Sequence, residues 1–190
     1  MPVYLIRHGQ SEFNAAYMQG SPDPMIWDAP LTALGCEQAR QVRAKIIDLG
    51  IRQVLTTPLT RAIQTAKIIF DGIAPITIIP DHRELLSHSC DVGVSPTVLR
   101  NTFPEMSFEG LAKVWWHQGP KNNDGVPVEP LDLFQNRIDA FADLIAVMPD
   151  RPLAIVGHGN VFNALAGFKM SNCEIKQYNG ERPTGPLTFS

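Results

Sequence analysis

Several things are scarce in this 190-residue chain. It has three cysteines, Cys36, Cys90 and Cys173, odd in number and far apart, which makes no disulfide framework. That points to a reducing cytoplasm. No apolar run approaches the roughly 20 residues that cross a bilayer, so no membrane role is expected. Positive charge is not in excess. The formal net charge is −3, so no basic field suggests nucleic acid. The N-terminus enters a strand-like segment at once, without the charged region and cleavage site of a signal peptide. There is no internal repeat and no low-complexity tract. What is present is ordinary globular composition, 44% apolar and 18% charged, enough for one domain over residues 1–190 to bury its own core.

Strand and helix patterns alternate. Val3-Tyr4-Leu5-Ile6 reads as a buried strand, followed by a polar loop from Arg7 to about Pro30. Thr32 caps a helix whose Ala39, Val42, Ile46 and Leu49 share one face, and Gly50 stops it. Gln53–Thr56 is a second strand. Thr57 as cap and Pro58 at the first position then open a helix to about Phe70. Ile76–Ile79 is a third strand. Residues 81 to about 130 are irregular, with helical pieces expected at Pro96–Thr102 and Phe108–His117, and read as an insertion capping the site. Phe134, Ile138, Phe141 and Ile145 mark a long amphipathic helix. Leu153–Val156 is a fourth strand, and a last helix begins near Asn160. The tail from Cys173, with Gly180, Pro183, Gly185 and Pro186, reads as extended. The expected fold is an α/β three-layer sandwich with a mostly parallel central sheet and a small cap insertion.

Ligands of such sheets bind beyond the carboxyl ends of the strands. The first strand ends in Arg7-His8-Gly9 and the last in Gly157-His158-Gly159. The second leads to Arg61 and the third to Arg83-Glu84. One edge therefore gathers two arginines, two histidines and a glutamate. Guanidiniums offer forked donors to phosphate oxygens. Helix starts after Thr57 and Gly159 add N–H groups and positive dipole ends. The flanking glycines would let backbone approach a ligand. An imidazole whose other nitrogen is held by an acceptor can attack phosphorus. A protonated carboxyl can donate to the leaving oxygen. With cations already present, neither a metal nor a cofactor is expected.

At these residues the chain resembles the histidine phosphatase superfamily, the phosphoglycerate mutase-like proteins. The resemblance rests on Leu5-Ile6-Arg7-His8-Gly9-Gln10-Ser11-Glu12-Phe13-Asn14, on Leu31-Thr32 with Gly35, and on the run from Thr57 to Ala66. Arg83-Glu84 and Gly157-His158-Gly159-Asn160 complete it, in order, over residues 3 to about 168. The resemblance implies that His8 becomes phosphorylated and that Arg7, Arg61 and His158 hold the phosphoryl oxygens. Glu84 would protonate the leaving group and then activate water. Asn14, Gln19 and Gly20 would line the substrate pocket, with Gly159 and Asn160 contributing at the helix start. Ser87, His88 and Ser89, next to Glu84, are expected to face the pocket and help select the leaving group. The partner is a phosphorylated small molecule.

Departures bear on the reaction. Pro130 stands where many members carry Ser, at a helix start remote from the proposed chemistry. Trp115-Trp116-His117 stands where mutases carry paired arginines that grip a second anionic end of the substrate. A weaker second grip favours hydrolysis over transfer back to the substrate. The rival expectations are a mutase-type phosphotransferase and a phosphate-binding relative without turnover. His82, His88 and Cys90 match no common zinc spacing. One of Trp115 and Trp116 is expected in the core and the other at the pocket. Cys36 reads as a small packing residue on its helix. The sequence names neither the substrate nor the number of subunits.

Overall fold

The structure is a computed structural model, described here for residues 2–183 and Phe189. Its sheet has five strands: β1 (Val3–Arg7), β2 (Gln53–Thr56), β3 (Ile76–Ile78), β4 (Leu153–Gly157) and β5 (Ile175–Tyr178). The spatial order is β3-β2-β4-β1-β5. All neighbours are parallel except β5, which runs antiparallel to β1. The central strands are covered on both faces, so adjacent apolar residues enter opposite layers. Leu5, Leu55 and Ile155 pack with Phe134, Ile138, Phe141 and Phe162 of α5 (Leu131–Val147) and α6 (Gly159–Ala166). Ile6, Val54, Ala154 and Val156 pack with Val42, Ile46, Ile69 and Phe70 of α2 (Ala33–Ile46) and α3 (Thr60–Phe70). Each large side chain buried this way contributes about 2 kcal/mol. The three-layer α/β arrangement is the one expected.

Local departures have local causes. The polar loop after β1 contains a short helix, α1 (Glu12–Ala16), made by a reciprocal Ser11–Asn14 capping box. The helix after β2 starts at Thr60, not Pro58, with Leu59 as its cap. Thr57 is not a helix cap at all; its hydroxyl lies 2.8 Å from His158 Nε2. Asp28 takes over the end of α3, accepting from Thr60 N at 2.9 Å and Thr60 Oγ1 at 2.6 Å. The expected α4 forms over Pro96–Thr102. Phe108–His117 does not form a helix. Its apolar residues are anchors instead. Phe108 packs with Ile63, Leu99 and Phe103, and the indole of Trp115 donates to Val94 O at 2.9 Å. The tail is extended where β5 forms, while Gly185 and Pro186 lie outside the described residues.

Gly9 and Gly157 answer to packing rather than to a ligand. A Cβ on Gly9 would meet the carbonyl oxygen of Gly35 at 2.5 Å, and one on Gly35 would meet that of Gln10 at 2.1 Å. A Cβ on Gly157 would meet the Phe162 ring at 2.9 Å. Among the described residues, no helix is long and apolar enough to cross a membrane.

Candidate active site

Register places the two histidines side by side. β1 and β4 pair so that Arg7 stands opposite Gly157, and each strand delivers its next residue to the same edge. The rings of His8 and His158 lie 5.3 Å apart. His8 Nδ1 is 2.7 Å from Gly9 O. A carbonyl only accepts, so Nδ1 carries the proton and Nε2 keeps its lone pair. Burial, followed by the charges of Arg61 and Arg7, holds the His8 pKa well below its ordinary range, so the ring is neutral at pH 7. Arg61 Nε donates to His8 Nε2 at 3.3 Å.

Arg61 is less free than a forked phosphate clamp. Its Nη1 donates to Cys90 O at 2.5 Å and its Nη2 to Asp91 Oδ1 at 2.9 Å, leaving Nε for His8. Both partners of the Arg61–Asp91 pair are buried. Arg7 donates through Nη1 to Met170 O at 2.6 Å, while its buried Nε has no protein partner. His158 is fully buried, with Nδ1 likewise unpartnered. Unpartnered buried polar nitrogens are uncommon in proteins, and two beside His8 leave room for a hydrogen-bonding ligand.

Glu84 completes the group. Its carboxylate accepts from Leu85 N at 2.9 Å and Asn160 N at 3.3 Å. Those bonds favour the charged form. Burial and the nearby Asp91 charge outweigh them and push the pKa up to about 7. A carboxyl poised there can give or take a proton near neutrality.

A cavity of about 310 Å³ is lined by Arg7, His8, Arg61 and Glu84. Asn14, Gln19, Ser87, His88, Gly159 and Asn160 also line it. Gly20 does not; it sits in a turn with open space around it. Ser89 also faces elsewhere, donating from N and Oγ to Asp23. Trp115 is buried and Trp116 half-buried, and neither lines the cavity. Sequence reasoning missed Ser11, Phe13, Tyr17, Cys90, Asp91 and Phe189 as lining residues. For Asp91 the signal was a lone acid following a run already assigned to Glu84. A larger cavity, about 650 Å³, opens near Val3 and Tyr178. Register puts it at the opposite end of β1 from the histidines, so size does not locate the chemistry. His82 stacks on Phe141 and meets Val156 O, apart from the ring cluster of His88. No cluster of His, Cys, Asp or Glu among the described residues is arranged to hold a metal ion.

A neutral imidazole, two guanidiniums and a raised carboxyl, at the carboxyl edge of a parallel sheet, define an α/β protein of the phosphoryl-binding class. The chain belongs to the histidine phosphatase superfamily (branch 1), whose profile matches residues 3–179. Members of that superfamily are phosphatases or mutases. A probable phosphoglycerate mutase GpmB from Yersinia pestis (strain Pestoides F) is 31% identical over 171 residues, 87% of this chain and 73% of that protein. The protein of the same name from Enterobacter sp. (strain 638) is 42% identical over 96 residues, 50% of this chain and only 40% of the relative. A putative alpha-ribazole-5'-P phosphatase from Escherichia coli K-12 shares the fold with a TM-score of 0.64 at 19% identity, covering 100% of this chain and 97% of that one.

Proposed function

We propose that this protein is a metal-independent phosphatase acting on a phosphate monoester through a phosphohistidine on His8. It works as a single domain over residues 1–190, with the segment from 81 to 130 capping the site. The observation that carries the reading is the His8 ring at the cavity, its Nδ1 proton fixed on Gly9 O and its Nε2 lone pair accepting from Arg61 Nε. His8 Nε2 attacks phosphorus as the bond to the ester oxygen breaks. The Glu84 proton goes to that oxygen. Arg61 Nε passes from His8 Nε2 to a phosphoryl oxygen as the lone pair attacks, and Arg7 Nε and His158 Nδ1 donate to the other oxygens as charge builds on them. A Thr57 hydroxyl donating to His158 Nε2 fixes Nδ1 as that donor. Water then attacks phosphohistidine, ionised Glu84 takes its proton, and phosphate leaves with His8 restored. These cations do what a metal would do elsewhere, so turnover should survive EDTA.

Hydrolysis is favoured over phosphoryl return because the cavity holds no arginine or lysine beyond Arg7 and Arg61 among its described lining residues. Nothing there would grip a second anionic end. The test is phosphate release from a panel of phosphorylated metabolites with EDTA present, for wild type and His8→Ala. We expect release that falls at least about a thousandfold in the variant. Wild-type release unaffected by His8→Ala would refute the nucleophile. No release, with transfer primed by a bisphosphoglycerate, would make the protein a mutase.

A further inference from the structure

The wall of the cavity next to Glu84 is aromatic, which bears on what leaves with the proton. Phe13 stacks on Tyr17 with centroids 5.1 Å apart and rings 26° from parallel. His88 stands edge-on to both, 5.4 Å from Phe13 and 5.0 Å from Tyr17. All three line the same cavity as His8 and Glu84. His88 has no nitrogen left to grip an anion. Its Nδ1 meets Ser87 Oγ at 2.8 Å and its Nε2 meets the Tyr17 hydroxyl at 3.3 Å. The two arginines face the phosphoryl position, and the other charges lining the cavity are the carboxyl groups of Glu84 and Asp91. Asp91 is already paired with Arg61, so a carboxylate or second phosphate on the leaving group would meet a protonated acid and ring faces with no cation to balance it. The one nearby lysine, Lys169, lines an adjoining cavity that Glu84, Tyr17 and His88 do not reach. A leaving group must lie by the acid that protonates it, in the cavity that Glu84 shares with these three rings.

We propose that the substrate's leaving group is neutral and presents a flat ring to the Phe13–Tyr17–His88 wall. This rests on the phosphomonoester reading of the site and names its substrate class. Polar groups on that ring would meet Ser87, Asn14 and Gln19 at the rim. Tyr17 and Phe13 act as specificity residues, holding the ring by offset or edge contacts that an aliphatic chain makes less well.

Phosphonates test this without turnover, because their carbon–phosphorus bond cannot be hydrolysed by this chemistry. Calorimetry on the full chain compares 2-phenylethylphosphonate, 2-cyclohexylethylphosphonate and 2-carboxyethylphosphonate. We expect the phenyl ligand to bind about tenfold tighter than the carboxylate one and severalfold tighter than the cyclohexyl one. Tyr17→Leu should bring the three affinities together. Equal or tighter binding of the carboxylate ligand overturns the proposal, and equal binding of the cyclohexyl ligand overturns the flat ring. A preference unchanged in both Tyr17→Leu and Phe13→Leu overturns the wall. The wild-type comparison decides the substrate class even where a variant fails to fold. Phenyl preference without phosphate release from any ester would refute hydrolysis and keep the wall. Release without phenyl preference would do the reverse.

Discussion

The proposed nucleophile, His8, and the proposed acid, Glu84, are held in place by different means. His8, Arg7 and His158 leave adjacent parallel strands, and their mutual position is the β1–β4 register itself. A one-residue slip would move every core side chain of the strand into the opposite layer, so that position fails only with the sheet. Glu84 stands on irregular backbone after β3, and a side-chain network fastens it. Buried Glu129 accepts from Arg137 Nη2 at 2.7 Å and Nε at 3.1 Å, from Leu86 N at 3.3 Å and from Arg83 Nη2 at 3.4 Å. Arg137, on α5, also donates to Asp81 O at 2.7 Å and Arg83 O at 2.8 Å. One guanidinium thus ties α5 to the backbone just before the acid. The nucleophile belongs to the core, whereas the acid can be loosened while the core stays folded.

Substitutions can separate the two halves. Glu84→Gln should slow esters with poor leaving groups by about a hundredfold or more, and activated esters much less. Steady-state rates across a leaving-group series measure this, and equal slowing of all esters would remove the acid role. Arg137→Met strands Glu129 and should lower stability by about 3 kcal/mol in denaturant titration. In the folded fraction it should slow unactivated esters more than activated ones. Uniform loss would mean that acid and nucleophile are one rigid body after all.

The pH profile probes the same division. With Glu84 at about 7, its acid form is lost above neutrality, so the rate on unactivated esters should fall about tenfold per pH unit beyond pH 8. The His8 limb should lie below the ordinary histidine range, because burial keeps its ring neutral. An acid limb at ordinary histidine pH would contradict that environment. A smaller effect concerns Asp28 under α3. Burial raises its pKa from 3.8 to about 6, so the fold favours its protonated form. Its contribution is full below about pH 4 and is lost as pH rises through about 6, a drop of about 3 kcal/mol. Asp28→Asn should flatten stability across that window in thermal melts, and an unchanged slope would exclude Asp28 as its source.

The same division governs what the sequence made legible. Leu5-Ile6 and Ile155-Val156 announce buried strands because both faces of a central strand are apolar, and His8 and His158 follow directly from them. β5 has the mixed pattern Ile175-Lys176-Gln177-Tyr178 of an edge strand, which periodicity marks only as extended. The acid side is set by long-range pairs such as Arg61–Asp91 and Arg137–Asp81, 30 and 56 positions apart, which leave no local period. Arg61 was expected as a free fork, yet two of its nitrogens are committed to Cys90 and Asp91. Phe108 to His117 looked helical because buried anchors of an irregular loop can fall at helical spacing.

The Gly9–Gly35 contact sets a rule for anyone redesigning this pocket. The turn behind the nucleophile and the first turn of α2 touch through bare backbone, each filling the space a methyl group would need. Libraries aimed at new substrates can vary the aromatic wall and the rim freely. Positions 9 and 35 should stay glycine, since one added carbon at either would move the imidazole away from every substrate at once.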